Sequence, residues 1–337
     1  MTSVAQVQRG RASEPVRVTV VIPNWNGLVH LDDCMAALRQ QRFRDFRVVV
    51  IDNASTDGSL SWLAANAPDA EAVRMSENGG FSVAVNEGIR RTESEYVALL
   101  NNDTAAAERW LERLVQELDS HPNYDIAASR MVYFDAPGVI NATGDTFKFS
   151  KLAMQNRGRG DAERGYTRSL RVLGACAGAA LYRRSLFDTI GLFDEDFFLI
   201  HEDSDLNMRA LLAGRKCLYV PDAVVRHKEN ASTRKHRRSD MQHLGWRNQA
   251  TVLTKNLPAP VLLLCVALWP WALFRTTVPL RPDYWVAPSE IAQRVALFVR
   301  AQTDGARRGL AKRHLRTRAN VGSLTVMRWL LHGTGRP

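Results

Sequence analysis

Through the first 120 residues one pattern recurs. An apolar, β-branched run stops on polar residues, and apolar positions three or four apart follow. VRVTVVIPNWNG (16–27) reads as a buried strand and a loop, and residues 30–41 as a helix with Leu31, Met35 and Leu38 on one face. FRVVVIDNASTDGS and SLSWLAANA repeat strand and helix, as do EAVRMSENGG and FSVAVNEGIRR, then YVALLNNDT and AERWLERLVQELDS. Four alternations predict an α/β fold: a doubly wound, Rossmann-like, mostly parallel sheet flanked by helices. In such sheets ligands bind beyond the C-terminal strand ends.

The pattern weakens after about residue 125. The Gly-, Asp- and Arg-rich stretch 131–166 reads as an irregular or β-hairpin insertion, and RKCLYVPDAVVRH (215–227) as a further strand. The run 261–274 is the most apolar in the chain but holds Pro270 and falls short of the ~20 residues a spanning helix needs. Two readings stand: a hydrophobic helix lying in a membrane surface, or a buried core helix.

Charge sharpens this division. The chain of 337 residues carries +10 overall, yet residues 226–337 alone hold 20 Lys+Arg against 5 Asp+Glu. The remainder is therefore net acidic, and the basic excess belongs to the C-terminal third, where an anionic partner or a solvated helical surface would explain it. The expected organisation is a flexible lead (1–15), an α/β domain (16–250) and a helical, apolar-plus-basic extension (251–337). A composition of 45% hydrophobic and 24% charged residues argues against global disorder. Four scattered cysteines without a CxxC pair argue against a disulfide framework or a zinc site and fit a reducing compartment. No apolar segment in residues 1–15 has the form of a signal peptide.

Candidate chemistry collects at the strand ends. Asn24, Asp52, Asn78-Gly79-Gly80 and Asn101-Asn102-Asp103 each follow a predicted strand, so a parallel sheet brings them to one crevice. Asp52 can accept from a base N–H or a ribose hydroxyl. Capping the next helix is its competing role, for which Asn53, Ser55 and Asp57 serve as well. The Asn-Gly-Gly turn opens a helix whose amides suit a phosphate, and Asp103 beside it offers the hard oxygen that Mg²⁺ or Mn²⁺ takes. FFLIHEDSDLNMRALLAG (197–214) sets Glu202, Asp203 and Asp205 after an apolar run. A helix start accounts for part of this, with Asp203 or Ser204 as N-cap and Gly214 past the end. A carboxylate presented from an apolar wall can also act as a general base. His227 ends the later strand.

In order and spacing, TVVIPNWNG, VVVIDNASTDGS, ENGGFSVAVNEGI, ALLNNDT, FFLIHEDSDLNMRALLAG and VVRHKENAS resemble the motifs of family 2 glycosyltransferases, most closely the rhamnosyltransferase-like bacterial branch. The resemblance covers residues 17–250. It implies a GT-A fold, a nucleotide-sugar donor, Mg²⁺ or Mn²⁺, and inversion at the anomeric carbon. Carried over by motif, Pro23, Asn24, Asn26, Asp52, Asn53, Asn78, Gly79, Asn101 and Asn102 would serve the donor. Asp103 and His227 would hold the metal, although Asn101 stands where the family's Asp-x-Asp element has its first carboxylate. Asp203 with Glu202 would form the catalytic pair, and Gly174, Ala175, Cys176 and His201 would lie on the acceptor side. The donor sugar would be rhamnose from dTDP-rhamnose, or a UDP- or GDP-sugar, and the acceptor a saccharide or lipid-linked saccharide for cell-surface polysaccharide. Residues 257–337 would attach the enzyme peripherally to the cytoplasmic face of the plasma membrane.

Two rival classes fare worse. A sugar nucleotidyltransferase would place a Gly-rich loop with Arg and Lys after the first strand, and IPNWNGLVHLDD has none. A nucleic-acid-binding protein would use the basic tail, but GARRGLAKRHLRTRAN lacks interleaved aromatics for stacking.

Overall fold

The computed structural model describes residues 7–8, 16–228, 238–278, 287–315 and 320–332. Of the expected flexible lead, only the two-residue strand β1 (Val7–Gln8) is among them, paired antiparallel with β4 (Glu71–Arg74).

The four alternations form as expected: β2 (Val18–Asn24), α1 (Leu28–Arg39), β3 (Phe46–Asp52), α2 (Ser59–Asn66), β4, α3 (Gly80–Arg90), β5 (Tyr96–Leu100) and α4 (Trp110–Ser120). The strands lie parallel in the order β4-β3-β2-β5. Because successive side chains point to opposite faces, Val20 and Ile22 pack with α1 and α4, whereas Val21 packs with Val85 and Ile89 of α3. Each such aliphatic side chain, fully buried, contributes about 1.5–3 kcal/mol. The strand order reverses between β2 and β5, the switch point where a doubly wound sheet opens its crevice. The polar strand ends collect there, with Asn24 in register beside Asp52.

The second half of the sheet is mixed. After the short β6 (Thr104–Ala106) come β7 (Ile126–Tyr133) and β8 (Ile140–Ala142), then an antiparallel hairpin of β9 (Asp145–Lys148) and β10 (Ala153–Asn156). β11 (Leu170–Val172) is followed by β12 (Ala179–Arg183), which lies antiparallel between β5 and β7. This strand is a departure from the sequence reading, which saw only an acceptor-side segment there. Its Gly- and Ala-rich stretch has no period-2 pattern because both faces are buried. α5 (Arg184–Ile190) and α6 (Glu202–Leu212) lead to β13 (Cys217–His227), parallel to β7, with β6 on its edge.

The C-terminal helices are α7 (Arg238–Asn256), α8 (Ala259–Thr277), α9 (Pro288–Ala311) and α10 (Ser323–His332). α7 runs through residue 250, so the line between domain and extension crosses a helix. Leu211 and Leu212 of α6 share a core with Val252 and Leu253 of α7 and Val326 and Leu330 of α10. The apolar run 261–274 extends into a 19-residue helix, long and apolar enough by length and composition to cross a membrane. Val261, Cys265 and Ala272 are buried, while Leu263, Val266, Trp271 and Phe274 face outward. The helix is thus core on one face and exposed on the other. Trp285, expected with Trp269 and Trp271 at the level of lipid headgroups, lies outside the described residues.

Candidate active site

The strand ends converge on a hydrogen-bonded wall. Asn24 Nδ2 donates to Asp52 Oδ1 at 3.1 Å and Asn102 Nδ2 to Asn24 Oδ1 at 2.6 Å. Asp52 Oδ2 accepts from Ser55 N–H at 3.0 Å, and Asp57 does the work at the α2 start, taking Ser59 N–H at 3.1 Å. Asp52 is the expected partner of a base or ribose. The residue is fully buried and both its oxygens are engaged in shaping the loop. Asn24, Asn53 and Asn102 are likewise inward, whereas Pro23, Asn26, Asn78, Gly79 and Asn101 remain partly open to the crevice.

Asn53 extends the wall to the glycine turn, accepting from Gly79 N–H at 3.1 Å and donating to Gly80 O at 2.9 Å. Gly80 has φ +84°, and a Cβ there would lie 2.4 Å from Phe198 O, so only glycine fits. Phe81 N–H bonds that same carbonyl at 2.8 Å and Ser82 Oγ bonds Phe197 O at 2.8 Å. The turn is therefore fastened to the loop that carries Glu202 and Asp203.

β6 pairs with β13 so that His227 lies opposite Thr104, which sets His227 Nε2 3.2 Å from Asp103 Oδ1. On its other side His227 Nδ1 lies 3.0 Å from Asn141 Oδ1. With Nδ1–H given to Asn141, Nε2 presents a lone pair to a carboxylate. Two acceptors at that distance need a cation between them, either a proton or a metal ion. Burial raises the Asp103 carboxyl, but the His227 hydrogen bond and charge outweigh it and hold the group below its usual range. Among the described residues no cluster of three or more His, Cys, Asp or Glu could hold a metal. The pair therefore fits a divalent ion only as part of a ligand set, with oxygens of a bound diphosphate and water completing it.

Across the segment 176–178 lies the second cluster. Asn101 N–H donates to Gly178 O at 2.9 Å, and the neighbouring Ala177 amide stabilises the Asp203 carboxylate. One short stretch of backbone thus joins the Asp103 loop to Asp203. Asp203 sits at the start of α6 after two consecutive left-handed residues, Ile200 (φ 69°) and His201 (φ 71°). Such non-glycine conformations cost on the order of 1–3 kcal/mol each and persist only when surrounding contacts impose them. Asn248 of α7 does so here, its Nδ2 donating to Leu199 O at 3.0 Å and Ile200 O at 2.8 Å. Nothing in the sequence marked Asn248, because its role depends on a helix packed 48 residues away.

The three acids of this stretch separate by environment. Asp205 is fully buried and ion-paired with Arg209 and Lys255, so it is structural. Burial, then the neighbouring Asp203 charge, pushes Glu202 up to about 8. Burial also raises Asp203, opposed by the Ser204 and Ala177 amides. The Asp203 charge thus favours a proton on Glu202, and burial raises the basicity of Asp203 itself.

Both acids line a cleft of about 1200 Å³ bounded by the β9–β10 hairpin, residues 157–173 and the end of α10. Cys176 and His201 line it too, and burial lowers His201 to about 4, leaving it neutral. Gly174 and Ala175 do not line it. They are buried beneath the floor, where a Cβ on Gly174 would meet Asn207 Cγ at 2.1 Å and Ala175 O accepts from Asn207. The sequence reading missed Asp145, a third carboxylate in this cleft, bonded to Asn207 Nδ2 at 2.8 Å and raised well above its usual range by burial and by Asp203. Only the fold brings it beside Asp203.

The strand-end wall, the Asp103–His227 pair and the Glu202–Asp203 cleft are carried on a fold of GT-A type. Residues 19–191 match the family model described as glycosyl transferase family 2, and the chain belongs to that family. It is 28% identical over 152 residues to the glycosyltransferase GlyG of Streptococcus pneumoniae, a match spanning 43% of this chain and half of that relative's length. It is 27% identical over 254 residues to the N-acetylglucosaminyl-diphospho-decaprenol L-rhamnosyltransferase of Mycobacterium tuberculosis, spanning 66% of this chain and 79% of the relative. Solved structures of the same fold include Staphylococcus aureus TarS 1-349 in complex with UDP-GlcNAc, with TM-score 0.55, 17% identity and 89% and 90% coverage. They also include the mannosyltransferase PcManGT of Pyrobaculum calidifontis with GDP-Man and Mn²⁺, with TM-score 0.53, 17% identity and 96% and 89% coverage.

Proposed function

We propose that this protein transfers a sugar, with inversion, from a nucleotide diphosphate donor to a saccharide or lipid-linked acceptor in cell-surface polysaccharide synthesis. The observation that carries the reading is the placement of Asp103–His227 and Asp203 on either side of residues 176–178. Asp203 takes the proton of the acceptor hydroxyl. That oxygen then bonds to the anomeric carbon as the carbon–phosphate oxygen bond breaks, and the nucleotide diphosphate leaves. A single displacement needs one base, and Glu202, holding its proton, leaves Asp203 alone in that role. Asp103 and His227 would hold Mg²⁺ or Mn²⁺, which supplies charge neutralisation for the diphosphate. The positive end of the α3 dipole adds potential toward the same group, while the Gly79 and Gly80 amides are themselves held by Asn53 Oδ1 and Asn78 Oδ1.

The rhamnosyltransferase relative favours dTDP-rhamnose as donor, and UDP- or GDP-sugars are the second reading, favoured by the ligands of the structural neighbours. The outward face of α8, with Trp271 53% exposed, and the basic C-terminal third favour peripheral attachment to the cytoplasmic face of the membrane. Asp203→Asn tests the core of the proposal: transfer falls by about 10²–10⁴-fold while donor binding, read by calorimetry, is retained. Near-wild-type turnover would remove Asp203 as base. Flotation with anionic liposomes tests the attachment. Leu263→Glu/Trp271→Glu on α8 should abolish flotation, and unchanged flotation would overturn it.

A further inference from the structure

The cleft beside Asp203 has a charge arrangement that base catalysis does not call for. Two of its carboxylates are recessed, Asp145 at 4% and Glu202 at 8% exposed. Its outer wall is cationic. Lys148 ends β9, Lys151 sits in the hairpin turn, Arg157 follows β10 and Arg168 precedes β11, and all four line the cavity. Among the described residues none of these four has a carboxylate partner. Lys151 Nζ donates only to Gln155 Oε1 at 3.2 Å, and Arg157 Nη1 to Thr143 Oγ1 at 3.1 Å. Elsewhere in the domain Arg17, Arg47, Arg91, Arg183 and Arg209 each face a carboxylate. The one carboxylate on this wall, Asp161, is engaged by the Tyr166 hydroxyl at 2.5 Å.

Arg157 is also held in place. Its guanidinium lies 4.7 Å over the Tyr166 ring and 5.7 Å over Tyr219. A fixed planar cation without an acid, beside three long exposed ones, repels its neighbours unless an anion enters, and a guanidinium fork suits phosphate oxygens in particular. The anion is not the donor's diphosphate, because Asn78, Gly79, Asn101 and Asp103 do not line this cleft. A plain carbohydrate has no charge to meet these groups.

We infer that the outer wall of the cleft is a phosphate-binding subsite for the acceptor, and that the acceptor is a saccharide carrying a phosphate or diphosphate ester. This rests on the assignment of the cleft to the acceptor. Lys148, Lys151, Arg157 and Arg168 hold the ester group while the sugar reaches inward to Asp203. The subsite narrows the acceptor class to phosphorylated saccharides, whatever their lipid.

The test uses the full chain in EDTA, so that no metal-dependent binding at Asp103 contributes, with inorganic pyrophosphate and a sugar 1-phosphate as probes in calorimetry. Wild type binds both, and binding weakens with salt. Lys148→Gln/Arg168→Gln, at exposed positions, loses about tenfold or more affinity for both, and Arg157→Lys, which keeps charge but loses the fork, loses part of it. Equal affinity in wild type and double variant, or no binding by wild type, overturns the subsite. A variant that loses only liposome flotation and keeps sugar phosphate binding assigns these cations to lipid headgroups and overturns it too. Nucleotide binding with Mn²⁺, measured on the same variants, remains unchanged. Its absence in wild type would count against glycosyl transfer itself and leave the pyrophosphate result to decide the subsite.

Discussion

Replacing Asp205 with alanine separates stability from catalysis within one short acidic stretch. The side chain is fully buried and accepts from Arg209 Nε at 2.8 Å, Lys255 Nζ at 3.0 Å and Asn256 Nδ2 at 2.8 Å. Its loss leaves Arg209 with the carbonyls of Ile190 and Leu192, and Lys255 with Asp194 at 2.7 Å. Breaking a buried pair by removing one partner costs about 3–5 kcal/mol. Because Asp194 still compensates Lys255, the lower end applies, about 3 kcal/mol. In a domain of this size that lowers Tm by roughly 6–12 °C. Burial raises the Asp205 carboxyl, but Arg209 and Lys255 outweigh it and hold it below its usual range. A depressed folded value means the contribution is present above the unfolded carboxyl pKa and lost as pH falls through the folded one. The gap between variant and wild type is therefore full at neutral pH and closes in acid. Scanning calorimetry at pH 7 and at pH 3, with turnover assayed well below Tm, reads both properties. Turnover per folded molecule stays near wild type. An unchanged Tm with lost turnover would refute the reasoning and move the base from Asp203 to Asp205.

Three further outcomes follow from the site. Asp103→Ala weakens Mn²⁺-dependent nucleotide binding, and His227→Ala does so less, because the carboxylate carries the formal charge; unchanged calorimetric affinity in both places the metal elsewhere. Asn248→Ala releases the strained Leu199–His201 turn and lowers kcat with little effect on donor affinity, whereas a loss of donor affinity alone would contradict its proposed hold on Asp203. Since burial raises Asp203, the acid limb of the kcat/KM profile falls at higher pH than an ordinary aspartate gives: activity is full above the raised value and lost below it, and a limb near pH 4 would exclude Asp203 as the titrating base.

The sequence by itself determined the parallel half of this protein. Apolar runs that end on Asn24, Asp52 and Asn101–Asp103 are local facts, and parallel strands must deliver their ends to one edge, so the crevice follows from order alone. The same local logic indicated His227 and the acids in the first turn of α6, but not which acid does what. Asp203 and Asp205 are two residues apart with the same chemistry. They differ because Arg209, Lys255 and Asn256 close on one, and a cleft opens on the other. That Asn24 and Ser55 each hold one oxygen of Asp52 could not be read from the sequence either. β12 escaped notice because a strand buried on both faces and antiparallel to its neighbours leaves no alternation to read. Asn248, Asp145 and the cations at 148–168 gain their meaning only from what packs opposite them, and such long-range pairings have no period in the chain. Strand-end chemistry could be read from local pattern, whereas charge compensation depends on partners that only the folded chain supplies.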